Sequence, residues 1–180
     1  MIILEKTFEG GIEMKLTSAE ANKLLRKLNE DHNAIQMMEA NSRTFVAATT
    51  EKLEDARPEY EYEDVQKKLA ELEEKARIVK HAINLFNVSQ PIDDSGMTID
   101  QALVYIPQLS ERKRKLASMR AVPKKKRNDG YTGGSLIEYT YANYNIEQAE
   151  LDYQAASDEL ARVQNALDLV NSTMQFDIDI

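Results

Sequence analysis

The chain has 180 residues, of which 30% are charged, and its net charge is -8. This length predicts a single helical domain over residues 1–180, and the acidity disfavours nucleic acid or an anionic membrane as a partner of the chain as a whole. It contains no cysteine, which excludes disulfides, thiolate nucleophiles and cysteine metal sites and fits a reducing cytosol. No apolar run is long enough for a signal-peptide core or a bilayer span, so we expect a cytoplasmic protein with no membrane partner.

The first 16 residues predict a β-hairpin-like extension. Residues 2–16 alternate in polarity, and Gly10-Gly11 can supply the positive φ angles of a tight turn. Thr17 then opens a helix, because Glu20 three residues later completes a capping box in which each side chain binds a free backbone N–H.

The middle of the chain predicts two further helices. After a partly structured connection, the second helix is expected from about Tyr62 to Asn87 and is followed by a turn over residues 90–97. Thr98 begins the third helix with a second capping box. Pro107 lies inside that helix and removes one backbone hydrogen bond, so we expect a kink or a break there.

The last third begins with a loop and ends in a long helix. Residues 121–135 are basic and glycine-rich and predict a mobile loop, and residues 136–144 predict a strand that could pair with the N-terminal hairpin. Asn145 is expected to cap the last helix with Gln148 as its partner. The alternating tail, residues 176–180, predicts one more short strand.

Two of these helices carry apolar residues at alternating spacings of three and four, which is the pattern of a coiled-coil seam. The fold class is therefore mainly α, with long antiparallel helices forming a helical bundle or coiled-coil hairpin and a small β element from the N-terminal hairpin, the 136–144 segment and the C-terminal tail. Surplus apolar surface on the seams predicts a homo-oligomer, a dimer or higher. The seams are Val65, Leu69, Leu72, Ala76, Val79, Ile83 and Phe86, and then Ile146, Ala149, Tyr153, Ala156, Leu160, Val163, Leu167 and Val170.

The order of these elements resembles the septicolysin-like family of small bacterial helical proteins. The resemblance rests on Met14-Lys15-Leu16 before a helix, Ile83-Asn84 with Asn87 closing the second helix, and the turn and helix start from Gly96 to Leu103. It covers residues 14–175 and makes residues 1–13 an extension before the usual family start. The resemblance implies a coiled-coil body without accepted catalytic residues.

A basic segment interrupts the acidic chain and has two interpretations. The favoured one is pairing with acidic helix faces such as Glu71, Glu73 and Glu74, within the chain or across a dimer. The alternative is a surface that binds nucleic acid or another polyanion, since lysine and arginine release counterions from phosphates. The segment comprises Arg112, Lys113, Arg114, Lys115, Arg120, Lys124, Lys125, Lys126 and Arg127.

The pattern offers no catalytic, cofactor-binding or metal-binding residue. His32 is interpreted as partly buried or at an interface and His81 as solvent-facing, and neither follows a glutamate by three residues as in di-metal bundles. Tyrosines 139, 141, 144 and 153 are interpreted as packing residues. The predicted function is a non-enzymatic, oligomerising coiled-coil or scaffold protein that binds protein partners through helical faces, and the alternative is polyanion binding through residues 112–127.

Overall fold

The computed structural model describes residues 4–6, 12–128 and 137–180 and confirms a mainly helical fold with a small β element. The Gly10-Gly11 turn lies outside these ranges. The elements are β1 (Leu4–Lys6), β2 (Ile12–Thr17), α1 (Ser18–Ser42), α2 (Leu53–Ala56), α3 (Tyr62–Ser89), α4 (Ile99–Arg120), β3 (Lys125–Arg127), β4 (Tyr139–Tyr141), α5 (Ile146–Thr173) and β5 (Gln175–Asp179).

The chain divides into two compact units. Unit 1 comprises Met1–Ser89 and Val170–Ile180, and unit 2 comprises Gln90–Leu169. Each unit has its own sheet, a three-stranded one in unit 1 and a two-stranded one in unit 2. The single domain predicted over residues 1–180 stays a prediction.

Unit 1 packs helices α1 and α3 on an antiparallel sheet of order β1-β2-β5. Met14 pairs with Ile178 and Leu16 with Phe176, which places four apolar side chains on one face of the sheet. The predicted C-terminal strand is therefore confirmed, and its alternating aspartates point to the other face. These strands share a core with the helices, built on the buried residues Leu16, Ala21, Leu28, Val79, Ile83 and Ile178.

Helix α1 begins where the sequence predicts. The Thr17 hydroxyl accepts a hydrogen bond from the backbone N–H of Glu20, and the Glu20 carboxylate accepts one from the backbone N–H of Thr17. The same reciprocal pair opens α4 between Thr98 and Gln101. Both predicted capping boxes are confirmed, and each satisfies backbone donors that the first helical turn leaves free.

Unit 2 departs from the sequence prediction in its β structure. Strand β4 pairs with β3 and not with the N-terminal hairpin. The predicted loop over residues 121–135 therefore contains a strand at Lys125–Arg127, while residues 129–135 lie outside the described ranges. A three-residue lysine and arginine strand carries no apolar alternation, so the pattern had nothing to indicate it.

Two helix details in unit 2 also differ. Of the kink or break predicted at Pro107, the break does not occur, because α4 runs unbroken from Ile99 to Arg120, and the kink stays a prediction. Pro107 and Leu103 are exposed, so water can solvate the carbonyl that proline leaves unpaired. Asn145 caps α5 as predicted, through its side-chain oxygen to the N–H groups of Glu147 and Gln148. The Gln148 side chain does not return the bond and donates to Asp152 instead.

Candidate functional site

Helices α1 and α3 of unit 1 run antiparallel in a heptad register. The Gln66 amide donates to the Glu39 carboxylate at 2.8 Å, and His32 Nε2 lies 3.1 Å from Glu73 Oε1. These two contacts are seven residues apart on each helix. The two helices therefore keep the same register over these seven residues.

This helix pair leaves a groove along one side, here called the helix groove. The groove is open to solvent and has a volume of about 680 Å³. Its floor is apolar and is formed by Leu25, Leu28, Leu72 and Ala76, and its rim carries the charged or polar residues Glu73, Arg77, Lys80, His81 and Asn84. Such a groove has the form that accepts another amphipathic helix.

Three apolar side chains lie exposed on α3 outside the helix groove. Ile78, Leu85 and Val88 expose 37%, 54% and 56% of their surface. Leu85 and Val88 follow His81 and Asn84 by four residues each, so they lie one helical turn beyond the rim. We call Ile78, Leu85 and Val88 the apolar stripe of α3.

The apolar stripe is a second set of heptad positions that the sequence analysis missed. Its members are spaced by seven and three residues, but each lies one or two residues from a seam position. The seam and the apolar stripe interleave on the same helix, so the longer seam pattern hid the shorter one in the sequence.

The predicted seam residues are buried or half-buried. On α3, Val65, Leu69, Val79, Ile83 and Phe86 are buried and Leu72 is half-buried; on α5, Val163 and Leu167 are buried and Tyr153 and Leu160 are half-buried. Phe86 also stacks on Phe176 of β5, with ring centroids 4.4 Å apart. Their burial within one chain accounts for the seams as core, and their part in an oligomer stays a prediction.

The structure distributes the basic segment over different partners. Arg114 makes a bidentate pair with Glu111, Arg120 pairs with Glu150 at 2.9 Å, and Lys124 pairs with Glu147 at 2.7 Å. These carboxylates belong to unit 2 and are not the Glu71, Glu73 and Glu74 face that the sequence suggested. Arg120 also lies over the Tyr153 ring, 3.9 Å from its centroid, with Lys113 5.8 Å from that centroid.

These ion pairs change the pKa values of the residues that form them. The hydrogen bond and charge of Glu147 raise the pKa of Lys124, and Lys124 in turn lowers the pKa of Glu147. A hydrogen bond from Gln154, followed by the Arg120 guanidinium, lowers the pKa of Glu150. Both carboxylates therefore stay charged to a lower pH than an ordinary glutamate.

Two further cations of α4 line a separate groove within unit 2. Arg112 and Lys115 lie with Asp152 and Glu159 around a space of about 470 Å³ between α4 and α5. Arg162 hydrogen-bonds Glu159 and also Asp93. Charges of both signs line this groove, so it provides no uniformly positive surface for a phosphate.

Strands β3 and β4 gather the rest of the basic segment. Lys125 lies opposite Tyr141, Lys126 opposite Thr140 and Arg127 opposite Tyr139, and all six residues are exposed. We call this strand pair the basic ribbon. It is held to its unit by the Lys124–Glu147 pair and by the Tyr144 hydroxyl, which donates to the carbonyl of Met119 at 2.7 Å.

The histidines lie as the sequence predicts. The His32 side chain is 20% exposed beside Glu73, and His81 is exposed on the rim of the helix groove. Within the described ranges, no group of three or more histidine, aspartate or glutamate side chains is arranged to hold a metal ion. None of the described helices has the length and apolarity needed to cross a lipid bilayer.

Comparison with known proteins defines the fold only. No family model matches the chain, and no curated protein matches it either. The resemblance to septicolysin-like proteins therefore stays a prediction. A solved structure, a functionally unknown conserved protein from Corynebacterium diphtheriae, is similar over 90% of this chain and 99% of that one, with a TM-score of 0.53 and 13% sequence identity.

Proposed function

We propose that this protein is a non-enzymatic scaffold that assembles with a second copy of itself through helix α3. The observation that carries the proposal is the apolar stripe of α3, because three large apolar side chains at coiled-coil spacing lie exposed on the side of α3 that faces away from the core. Coiled-coil partners bury such stripes against each other.

The spacing of the stripe is self-complementary. In a dimer with two-fold symmetry, each contact occurs twice with the residues exchanged. If two α3 helices cross antiparallel with the axis near His81 and Ala82, Ile78 of one copy meets Leu85 of the other. The same operation brings Leu85 of the first copy to Ile78 of the second.

Exposed positions make a cleaner test than the seam. Leu72 and Leu160 are half-buried, so a charge at either position would unfold the protein as readily as dissociate it. Leu85 is more than half exposed, and L85E therefore disturbs an assembly more than the fold. Sedimentation velocity over a concentration series gives the mass of each variant.

We expect the wild type to sediment as a dimer or larger species and L85E as a folded monomer with the helical circular dichroism spectrum of the wild type. The melting temperature of L85E should no longer depend on protein concentration, because it gains no stability from assembly. L151E, which changes a 63% exposed leucine of α5, is the matched control and should keep the wild-type mass. The double variant I78K/L85E should recover the dimer, since each lysine then faces a glutamate of the other copy. A monomeric wild type, or an L85E dimer, would overturn the proposal.

A further inference from the structure

We propose that the basic ribbon binds single-stranded nucleic acid, with Tyr139 and Tyr141 stacking on bases and Lys125 binding phosphate. The inference rests on the β3–β4 pair of unit 2 and shares no residue with the apolar stripe of α3. Either proposal can therefore fail without the other.

The strand register places the relevant side chains on one face. Residues directly opposite in an antiparallel pair share a face, as do residues two apart on one strand. Lys125 is opposite Tyr141 and Arg127 is opposite Tyr139, so one face of the basic ribbon carries two cations and two tyrosines. Lys126 and Thr140 lie on the other face.

Both tyrosine rings are accessible. Tyr139 and Tyr141 expose 42% and 60% of their surface, and their ring centroids are 6.3 Å apart at an angle of 51°. Each ring therefore keeps about half of its surface open to a ligand. Two tilted, separated rings can each take one base of an extended strand.

A cation lies over the Tyr139 ring, so a base would stack on the other face of that ring. Lys125 Nζ is 3.9 Å from the centroid of Tyr139 and 5.5 Å from that of Tyr141. A base stacked on either ring would carry its phosphate within reach of this ammonium group. A nucleotide therefore matches both the aromatic and the charged part of the face.

The lysines of the basic ribbon also differ from their neighbours in charge balance. Lys124 and Arg120 are neutralised by Glu147 and Glu150. Lys125 and Lys126, in contrast, form no ion pair with any residue in the described ranges. On the face that carries the tyrosines, the positive charge of Lys125 is therefore available to a ligand.

The aromatic pair favours a single strand over other polyanions. In a duplex the bases are already stacked and paired, so exposed rings gain nothing from them. A polyphosphate has no base and would use only the lysines. Stacking on tyrosine thus distinguishes the proposed ligand from a ligand held by charge alone.

Fluorescence anisotropy tests the proposal with labelled DNA and RNA 12-mers of one sequence, as single strands and as duplexes, and with inorganic polyphosphate as competitor. We expect the full-length wild type to bind single strands more tightly than duplexes. Replacing Tyr139 or Tyr141 by alanine should weaken binding by about 5- to 150-fold each. Y139F/Y141F keeps the rings and should bind like the wild type.

Lys126 supplies the matched control for Lys125, since it is the adjacent residue on the opposite face. K125A should lower the salt dependence of binding to a single strand by about 0.7 in the slope of log K against log salt, and K126A by less. The circular dichroism melt of each variant checks that it is folded. A comparison of the DNA and RNA strands shows which sugar the site prefers.

Three results would overturn the proposal. The wild type could fail to bind single strands at low salt, the tyrosine-to-alanine variants could bind like the wild type, or duplex and polyphosphate could compete as well as a single strand. The last two results would mean that charge alone holds the ligand.

Discussion

Replacing Ile178 by alanine should destabilise unit 1 by about 3–4 kcal/mol. Ile178 lies on β5, the last strand, is 1% exposed and contacts the core shared by α1 and α3. The substitution removes three carbon atoms, and burial of each is worth about 0.8 kcal/mol, or about 2.4 kcal/mol in all. The cavity left behind adds to this, which brings the loss within the range of about 2–5 kcal/mol for such truncations.

Urea unfolding followed by far-ultraviolet circular dichroism measures this loss as a change in the free energy of unfolding. I178V removes a single carbon and should lose only about 0.5–1.5 kcal/mol. L53A deletes as many carbons as I178A from a leucine that is 58% exposed, so its effect should stay within about 0.5 kcal/mol. If I178A unfolded at the same urea concentration as L53A, the packing of β5 against the helices would be wrong.

Two further predictions concern local geometry. Hydrogen bonds from the backbone N–H and then the hydroxyl of Thr17 lower the pKa of Glu20 below its usual 4.5, so the carboxylate stabilises the folded state above that pH and this contribution is lost as the pH falls through the lowered value. The difference in free energy of unfolding between the wild type and E20Q, measured by urea unfolding, should therefore be present at pH 7 and disappear on acidification below about 4.5. A difference that did not change with pH would contradict this prediction. Gly96 has a φ of +77° with no atom within 4 Å of an added Cβ, so G96A should lower the free energy of unfolding by about 1–2 kcal/mol through backbone strain alone. Calorimetry should show a lower melting temperature for G96A and a smaller decrease for G96N. Equal melting temperatures for the wild type and both variants would refute this prediction.

The features that the sequence predicted well are those with a local physical cause. The Thr17 and Thr98 caps depend on residues three apart, and the alternating tail depends on a period of two, so each is complete within a few positions. The long helices follow for the same reason, since the seams repeat over three heptads. These elements make up most of the fold.

The features that it missed depend on contacts distant in sequence or on exposure. The pairing of β3 with β4 joins residues on either side of the 129–136 segment, and no alternation marks the Lys125–Arg127 strand. The carboxylates that neutralise Arg120 and Lys124 come from α5, which no local spacing indicates. Leu85 differs from the buried residues beside it only in facing away from the core, and that distinction requires the fold.

Strand β2 and helix α1 meet without a linker. Thr17 is both the last residue of β2 and the N-cap of α1. One residue inserted after it would turn the helix by about 100° about its axis relative to the sheet. Leu25 and Leu28 would then leave the groove floor, and the helix would have to slide or unwind to bring them back. The sheet therefore sets which face α1 turns toward the core. At this junction the chain should tolerate substitution far better than a change of length.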